Sequence, residues 1–456
     1  MFQKNAWLKY DEAALQKVME FNEGYKDYIT KGKTERLCVK ESVKIAEANG
    51  FKPLESFKEL KKGDKVYSVN KNKNIALFVI GEKEVEEGLH ILGAHIDSPR
   101  LDLKQNPLYE RTDFAYLDTH YYGGVKKYQW VTTPLALCGV VVKKDGTVID
   151  VCIGEDENDP IVVITDLLIH LSATQMRKTA DVVIEGEDLD VLFGSMPLKD
   201  AEKEAVKANV LNIIKEKYGF EEEDFVSAEI EVVPAGKARD CGLDRSLVAG
   251  YGHDDRVCGY TSLMALIDAG VCEYTTCCIL VDKEEVGSIG ATGAQSVYFE
   301  NVIAELINLT TNYSDLKLRK ALTNSKMLSS DVSAGYDPIY AYVNEARNTA
   351  YLGKGLCINK YTGSRGKGGC NDANPEFIAE IRNIFEKDEV NYQTAELGKV
   401  DQGGGGTIAY ILGNYNMNVI DAGVAVLNMH APLEVVSKAD VYEAYKGYMS
   451  FLKNIK

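Results

Sequence analysis

The chain of 456 residues is 45% hydrophobic and 27% charged, a balance typical of a soluble globular protein that is long enough for two or three domains. Its net charge of −17 disfavours nucleic acid and anionic membrane surfaces as partners, and no apolar run approaches the roughly 20 residues that span a bilayer. Ten scattered cysteines without a CxxC pair favour a reducing, cytoplasmic location over a disulfide framework or a cysteine zinc site.

The first quarter of the chain predicts two helices followed by two strands. Apolar residues recur at helical spacing over 11–29, and a shorter helix is predicted over 42–49. The apolar runs over 75–80 and 89–94 predict buried strands. The second of these strands leads directly into His95.

From about residue 100 the pattern becomes rich in predicted strands. Two alternating runs about a Lys-Asp-Gly turn predict a hairpin over 140–153. An apolar run over 161–171 contains His170, a helix is predicted within 198–218, and a last strand covers 228–233. We therefore expect residues 98–233 to form a β-rich domain inserted into a domain made of residues 1–97 and 234–456.

The remaining chain alternates helical patterns with apolar strands. A helix follows Asp254 and Asp255 and ends at Gly270, and the apolar run after it leads into the adjacent Glu284 and Glu285. A turn and a helix are predicted over 290–299, a helix is predicted over 375–385, and a buried strand is predicted within 419–429. Ser437, with Asp440 at the reciprocal capping position, is expected to begin the final helix. This alternation predicts an α/β fold.

Several short apolar runs end in groups that can bind a metal ion. In an α/β sheet covered by helices on both faces, functional groups gather beyond the carboxyl ends of the strands, so residues far apart in sequence can meet there. The groups are His95, the Asp254–Asp255 pair, the Glu284–Glu285 pair, Asp331 and His430.

Two imidazoles and several carboxylates without thiolates suit zinc, cobalt or manganese in an open catalytic site. The set is large enough for two ions, which lie roughly 3.5–4 Å apart in such sites. Of the two adjacent glutamates, one can serve as a ligand and its neighbour as a general base. Each signal alone has a simpler interpretation, since a histidine can be a core residue and an acidic pair can cap a helix or end a strand in solvent.

Five stretches resemble the metallopeptidase family of aspartyl aminopeptidase and vacuolar aminopeptidase I. They are GAHIDSPRLDLK (93–104), GHDDRVCGYTSL (252–263), DKEEVGSIGATGA (282–294), SSDVSAGYDP (329–338) and MHAPLEVVSKADV (429–441). The resemblance implies a mixed central sheet of the zinc-peptidase type and two divalent ions, zinc above cobalt or manganese. The ligands that it implies are His95, Asp254, Glu285, Asp331 and His430.

The resemblance also implies roles beyond the ligands. Asp254 would bridge the two ions and precede a cis peptide bond, Glu284 would be the general base for a metal-activated water, and Asp97 would orient His95. The activity implied is removal of the first residue from peptides with a free N-terminus. The inserted domain would mediate dimer contacts within a homo-dodecamer, and His170 would complete a neighbouring subunit's site.

Two questions stay open at this level. The glycine-rich loop that would select the first residue of the substrate offers four candidate cations, so acidic and neutral residues both remain possible. These cations are Lys354, Lys360, Arg365 and Lys367. The alternatives in function are another dinuclear hydrolase, such as a carboxypeptidase or deacylase, and a catalytically silent assembly protein.

Overall fold

A computed structural model describes residues 4–456, and this part of the chain contains nine α-helices. The helices are α1 (Glu12–Lys31), α2 (Glu35–Ala48), α3 (Ala205–Tyr218), α4 (His253–Ala269), α5 (Tyr298–Thr310), α6 (Asp315–Asn324), α7 (Pro375–Lys387), α8 (Ala409–Gly413) and α9 (Lys438–Asn454). Among these residues, none of the helices combines the length and the apolar character needed to cross a membrane.

Twenty strands in the same part of the chain form three sheets. The strands are β1 (Lys52–Pro53), β2 (Lys65–Asn70), β3 (Asn74–Val79), β4 (Leu89–His95), β5 (Arg100–Arg111), β6 (Phe114–Tyr122), β7 (Leu135–Val142), β8 (Val148–Ile153), β9 (Val191–Gly194), β10 (Ala228–Pro234), β11 (Arg239–Cys241), β12 (Leu247–Gly250), β13 (Thr275–Val281), β14 (Lys326–Ser329), β15 (Ser333–Ala334), β16 (Leu356–Asn359), β17 (Tyr392–Thr394), β18 (Asn418–Gly423), β19 (Ala425–Leu427) and β20 (Glu434–Ser437).

The chain divides into two compact units. The first comprises the residues up to Asp97 together with Ala238–Met429 and Glu434–Lys456. It contains a nine-stranded sheet in the order β1-β2-β3-β13-β4-β14-β18-β16-β17 and a five-stranded sheet in the order β11-β12-β20-β19-β15. In the larger sheet β13, β4, β14 and β18 are mutually parallel, whereas β3 and β16 run antiparallel to their inner neighbours.

Helices cover both faces of the nine-stranded sheet, because successive side chains of its inner strands point to opposite faces. In β13, Cys278 and Leu280 join a core with residues of α1, α2, α4, α7 and α9. Cys277, Ile279 and Val281 join a second core with residues of α5, α6 and α8. The two-sided burial explains the continuous apolar run in the sequence, and the predicted mixed α/β fold is confirmed.

The second unit comprises Ser98–Lys237 and the four residues His430–Leu433. Its six-stranded sheet, in the order β8-β7-β10-β5-β6-β9, is antiparallel throughout. The predicted hairpin is confirmed as β7 and β8, which pair from Leu137–Ile153 to Val142–Val148. That this unit mediates subunit contacts stays a prediction.

The first helix is confirmed, whereas the predicted start of the second is wrong. α1 begins after Asp11, whose carboxylate accepts a hydrogen bond from the backbone N–H of Ala14. α2 begins seven residues earlier than expected, because the Thr34 hydroxyl accepts from the N–H of Leu37 and the early residues Cys38 and Val39 are buried. The N-cap hydrogen bond of Thr34 therefore begins the helix in a segment whose polar composition had not predicted one.

The expected capping arrangement at the start of α9 is also wrong. Ser437 is at the N-cap position, but its side chain makes no capping hydrogen bond. Asp440 accepts the backbone N–H groups of Gly353 and Gly355 at 2.7 and 2.6 Å instead. A distant loop with two orphan donors therefore takes the carboxylate that the local pattern assigned to the helix.

Because Asp440 binds the distant loop and the Ser437 side chain does not cap the helix, substitutions at the two residues should affect stability differently. Ser437→Ala removes no hydrogen bond, so we expect a change within about 0.5 kcal/mol in the free energy of unfolding. Asp440→Asn places a donor against one of the two buried N–H groups and is expected to cost about 1–3 kcal/mol. Urea denaturation measures both, and a loss of about 1 kcal/mol for Ser437→Ala would show a functioning cap.

Candidate metal centre

The candidate site lies at one edge of the nine-stranded sheet. Because β13, β4 and β14 are parallel, their carboxyl ends meet there. His95 is the last residue of β4 and pairs with Val281 at the end of β13, three residues before Glu284. Asp331 follows the end of β14 by two residues. The sheet therefore brings together groups from three separate parts of the sequence.

His95 is held so that one ring nitrogen faces the acidic groups. Its Nδ1 donates to the backbone carbonyl of Asp97 at 3.0 Å. Its Nε2 lies 3.1 Å from Oδ1 of Asp254 and 3.9 Å from Oε2 of Glu284. A hydrogen bond at Nδ1 fixes the ring orientation and leaves Nε2 as the atom available to a metal ion.

Asp254 reaches the site from the start of α4. Gly252 precedes the helix in the left-handed conformation, and Asp254 itself has non-helical backbone angles. The Asp254–Asp255 peptide bond is cis, as the family resemblance implies. Ligand atoms of His95, Asp254 and Asp331 all lie within 4.8 Å of one another, and carboxylate oxygens of Asp254 and Glu285 meet the same limit.

Asp97 joins the end of β4 to the turn that carries the two glutamates. Its Oδ1 accepts the backbone N–H of Glu284 at 3.1 Å, and its Oδ2 accepts that of Glu285 at 3.2 Å. These are the first N–H groups of a short 3-10 helix, Glu284–Val286, which would otherwise lack acceptors. Asp97 therefore contacts His95 through its backbone carbonyl and the glutamate turn through its carboxylate. That its carboxylate orients His95 for a metal ion stays a prediction.

The other two histidines predicted for the site, His170 and His430, belong to the second unit. His430 follows β19 in the sequence, and its Nδ1 donates to the carbonyl of Gly124 at 3.0 Å, which leaves Nε2 as the potential ligand atom. His170 is exposed in the 3-10 turn Ile169–Leu171. The metal-ligand role of His430 and the catalytic role of His170 stay predictions.

The site concentrates buried acidic groups whose ionised forms repel one another. Burial raises the pKa of Asp331 well above its usual range, and the carboxylates of Asp255 and Glu284 raise it further. Burial likewise raises the pKa of Asp255, which the imidazole of His95 partly opposes. Burial alone would lower the pKa of His95, but its contacts with Asp254 and Asp97 outweigh that effect and raise it well above the ordinary value.

The donor set fits a divalent cation. It consists of imidazole nitrogen and carboxylate oxygen without thiolate, which is the chemistry that zinc, cobalt and manganese accept in open sites. A cation among these carboxylates would replace the protons that the raised pKa values imply.

The loop of candidate substrate-binding cations is partly engaged within the chain. Lys367 Nζ lies 2.8 Å from Oδ2 of Asp372 and 3.8 Å from the centre of the Tyr361 ring. Lys360 Nζ lies 3.9 Å from the same aspartate. An acidic substrate group would therefore compete with Asp372 for these two lysines.

The sequence did not reveal two buried carboxylates that accept backbone N–H groups of the candidate ligands. Asp255 was identified only as half of an acidic pair, yet its Oδ2 accepts the N–H of His95 at 3.3 Å. Glu434 accepts the N–H of Asp254 at 3.0 Å. The only signal in the sequence was that each lies close to a candidate ligand, which does not reveal a partner some 160–180 residues away.

The fold and the donor set together define an α/β protein with a candidate metal-dependent hydrolase centre. Residues 28–452 match a family model described as aminopeptidase I zinc metalloprotease (M18). A probable M18 family aminopeptidase 1 from Clostridium acetobutylicum is 61% identical, with 99% of this chain and 98% of the relative covered.

Two solved structures extend this similarity. The crystal structure of the M18 aminopeptidase from Thermotoga maritima superposes with a TM-score of 0.96 at 44% identity and covers 100% of both chains. The mApe1 dodecamer of Saccharomyces cerevisiae shares the fold, with a TM-score of 0.77 at 20% identity over 95% of each chain. The chain belongs to the M18 family of zinc metallopeptidases.

The predicted enzyme class is thereby confirmed: the protein is a metal-dependent aminopeptidase. High identity along the whole chain to M18 aminopeptidases does not favour the carboxypeptidase, deacylase or silent-assembly alternatives.

The raised pKa values predict that metal binding releases protons. The folded, metal-free protein is expected to retain protons on Asp255, Asp331 and His95 at pH values where the unfolded chain has lost them. Their contribution to stability therefore falls as the pH rises above about 4 for the aspartates and about 6.5 for His95. A bound cation removes this penalty, and the gain in melting temperature on adding zinc should grow from pH 5.5 to pH 7.5.

Calorimetric titration of zinc in two buffers of different ionisation enthalpy measures the released protons directly. We expect the apparent binding enthalpy to differ between the buffers. Equal enthalpies, together with a pH-independent gain in melting temperature, would contradict the assignment of these groups to the metal centre.

Proposed function

We propose that this aminopeptidase removes the first residue of peptides at the edge of the nine-stranded sheet, where a pair of divalent ions is held. The observation that carries the proposal is the cluster of His95, Asp254 and Asp331, whose ligand atoms lie within 4.8 Å of one another beside Glu284. The complete ligand set that we propose is His95, Asp254, Glu285, Asp331 and His430.

Asp254 is the proposed bridge between the two ions. One of its carboxylate oxygens lies close to His95 and Asp331, and its carboxylate also lies within 4.8 Å of that of Glu285. An aspartate close to two separate ligand groups is suited to serving both ions. His430 would complete the second set through Nε2, since its Nδ1 is occupied by Gly124.

The metal ions, zinc by the family description, would supply Lewis-acid polarisation of the scissile carbonyl and of the attacking water when bound. The residues of the chain supply the proton transfers. The side chain of Glu284 is partly exposed at 17%, and its Oε2 lies 3.9 Å from His95 Nε2. It is therefore accessible to water and would take the proton from the nucleophile and deliver it to the leaving amine.

The adjacent glutamates give a matched pair of variants. Glu284→Gln should lower kcat by about 10²–10⁴-fold and leave metal affinity unchanged, because the amide cannot accept the proton. Glu285→Gln should weaken metal binding, because it replaces a proposed ligand. Steady-state kinetics on short peptides, together with competition against a chromogenic chelator, separates the two effects; full activity of Glu284→Gln would exclude it as the general base.

Each peptide should be presented with a free and with an acetylated N-terminus, and with Asp, Glu, Leu or Lys as the first residue. Release of the first residue only from free amines would support an anchoring role of the site for the α-amino group. Equal cleavage of acetylated peptides would contradict that role. The ranking of first residues measures whether the loop that contains Lys360 and Lys367 selects acidic side chains.

We further propose that the chain forms a homo-oligomer built from dimers, as in the mApe1 dodecamer, with the second unit at subunit contacts. Four apolar side chains around His170 are 54–74% exposed in the single chain, although the sequence pattern resembles a buried run: Leu167, Leu168, Ile169 and Leu171. Exposed apolar clusters of this kind mark interaction surfaces, and an oligomer contact there would place His170 at a neighbouring subunit.

Light scattering after gel filtration tests this assembly. The wild-type protein should elute as a dodecamer, and Ile169→Asp with Leu171→Asp should yield smaller species, because the new charges cannot be desolvated cheaply. A wild-type monomer that retains full activity would contradict both the assembly and the role of His170 in a neighbouring site.

A cytoplasmic location is also proposed. All ten cysteines are free, and seven of them are buried. Cys138 and Cys152, on neighbouring strands, have their sulfur atoms 3.9 Å apart, too far for a disulfide bond. Unbridged cysteines are typical of a reducing compartment. Cell fractionation measures the location directly.

A further inference from the structure

Glu434 is a buried carboxylate that has no place in the proposed chemistry. It begins β20, is 1% exposed and lies four residues after His430 in the sequence. Its Oε2 accepts the backbone N–H of Asp254 at 3.0 Å, a contact buried within the first unit. Burying a carboxylate is costly unless it is hydrogen-bonded, so the contact indicates a specific structural requirement at Asp254.

The requirement arises from the kink at the start of α4, where Asp254 and Asp255 have non-helical backbone angles and the N–H of Asp254 has no helical partner. The first N–H groups of a helix lack intrahelical acceptors and are normally capped by a nearby side chain. The N-cap residue of α4 is Gly252, which is in the left-handed conformation and has no side chain to offer. The N–H of Asp254 therefore takes its acceptor from Glu434, 180 residues away.

The five-stranded sheet brings Glu434 to this position. β12 leads into Gly252, and it pairs antiparallel with β20 so that Gly250 is opposite Glu434. A second buried contact fixes the preceding residue, since the Tyr25 hydroxyl of α1 bonds to Nδ1 of His253. The backbone that carries Asp254 is thus held from two directions by elements outside α4.

We propose that Glu434 is a positioning residue that sets the place of the Asp254 carboxylate by holding its backbone N–H. The inference rests on the proposed ligand role of Asp254. Asp254 has non-helical backbone angles, and Gly252 at the N-cap position supplies no side-chain cap. The helix geometry alone therefore does not fix the side chain of Asp254. Supporting contacts of this kind typically change metal affinity by about 10–100-fold when they are removed.

Three substitutions separate geometry from charge. Glu434→Ala removes the acceptor and should weaken zinc binding by about 10–100-fold. Glu434→Gln keeps an amide oxygen at the same reach and should restore most of the affinity. Glu434→Asp keeps the charge but withdraws the oxygen by one methylene, so it should resemble the alanine variant.

Glu443 provides the matched control. It is also a glutamate that is 1% exposed, and its Oε2 accepts a buried backbone N–H, that of Asn391, at 2.6 Å. Glu443→Ala should lower the melting temperature of the metal-free protein and leave zinc affinity unchanged. If Glu434→Ala and Glu443→Ala lost zinc affinity equally, the loss at Glu434 would be explained by general destabilisation, which would contradict the positioning role.

Competition with a chromogenic chelator gives the zinc affinity of each full-length variant, and thermal unfolding in EDTA gives its metal-free stability. The proposal predicts weak binding in the Ala and Asp variants and recovery in the Gln variant. Recovery in the Asp variant but not in the Gln variant would overturn it in favour of a charge effect. Absence of zinc binding by the wild-type protein would instead contradict the metal centre itself.

Discussion

The structure depends on one electrostatic constraint, which is the concentration of acidic groups beyond the carboxyl ends of parallel strands. Asp254, Asp331 and Glu284 lie close to the imidazole of His95, and buried Asp255 accepts its backbone N–H. The carboxylate of Asp254 also lies within 4.8 Å of that of Glu285. Carboxylates this close cannot all ionise in a buried site unless positive charge is supplied. The raised pKa values of Asp331 and Asp255 favour their neutral, protonated forms in the metal-free chain, and divalent ions would replace those protons.

A second set of carboxylates organises the site by binding backbone N–H groups. Asp97 holds the turn of the two glutamates, Asp255 accepts the N–H of His95, and Glu434 accepts that of Asp254. Each connects two segments that are distant in sequence. The scaffold therefore positions the proposed ligands, which is the preorganisation that catalytic sites require.

The sequence alone predicted much of the fold and indicated where the candidate ligands would gather. Short continuous apolar runs such as Leu89–His95 are typical of strands buried on both faces, and polar groups that follow parallel strands of this kind share one edge. What it could not predict were partners chosen by tertiary contact. Asp440 serves a distant loop instead of its own helix, and Glu434 accepts a backbone N–H 180 residues away, because nothing in a local pattern records which orphan donors come near. Which glutamate acts as ligand and which as base came from family resemblance, since adjacent carboxylates are equivalent in sequence.

The most direct test of the account is the location and number of bound ions, measured by anomalous diffraction at the zinc edge from zinc-loaded crystals. The account predicts two peaks, one beside His95 and Asp331 and one beside Glu285 and His430, with the Asp254 carboxylate contacting both and Glu284 contacting neither. A single peak, or Glu284 as a direct ligand, would contradict the assignment of a bridging aspartate and a free general base.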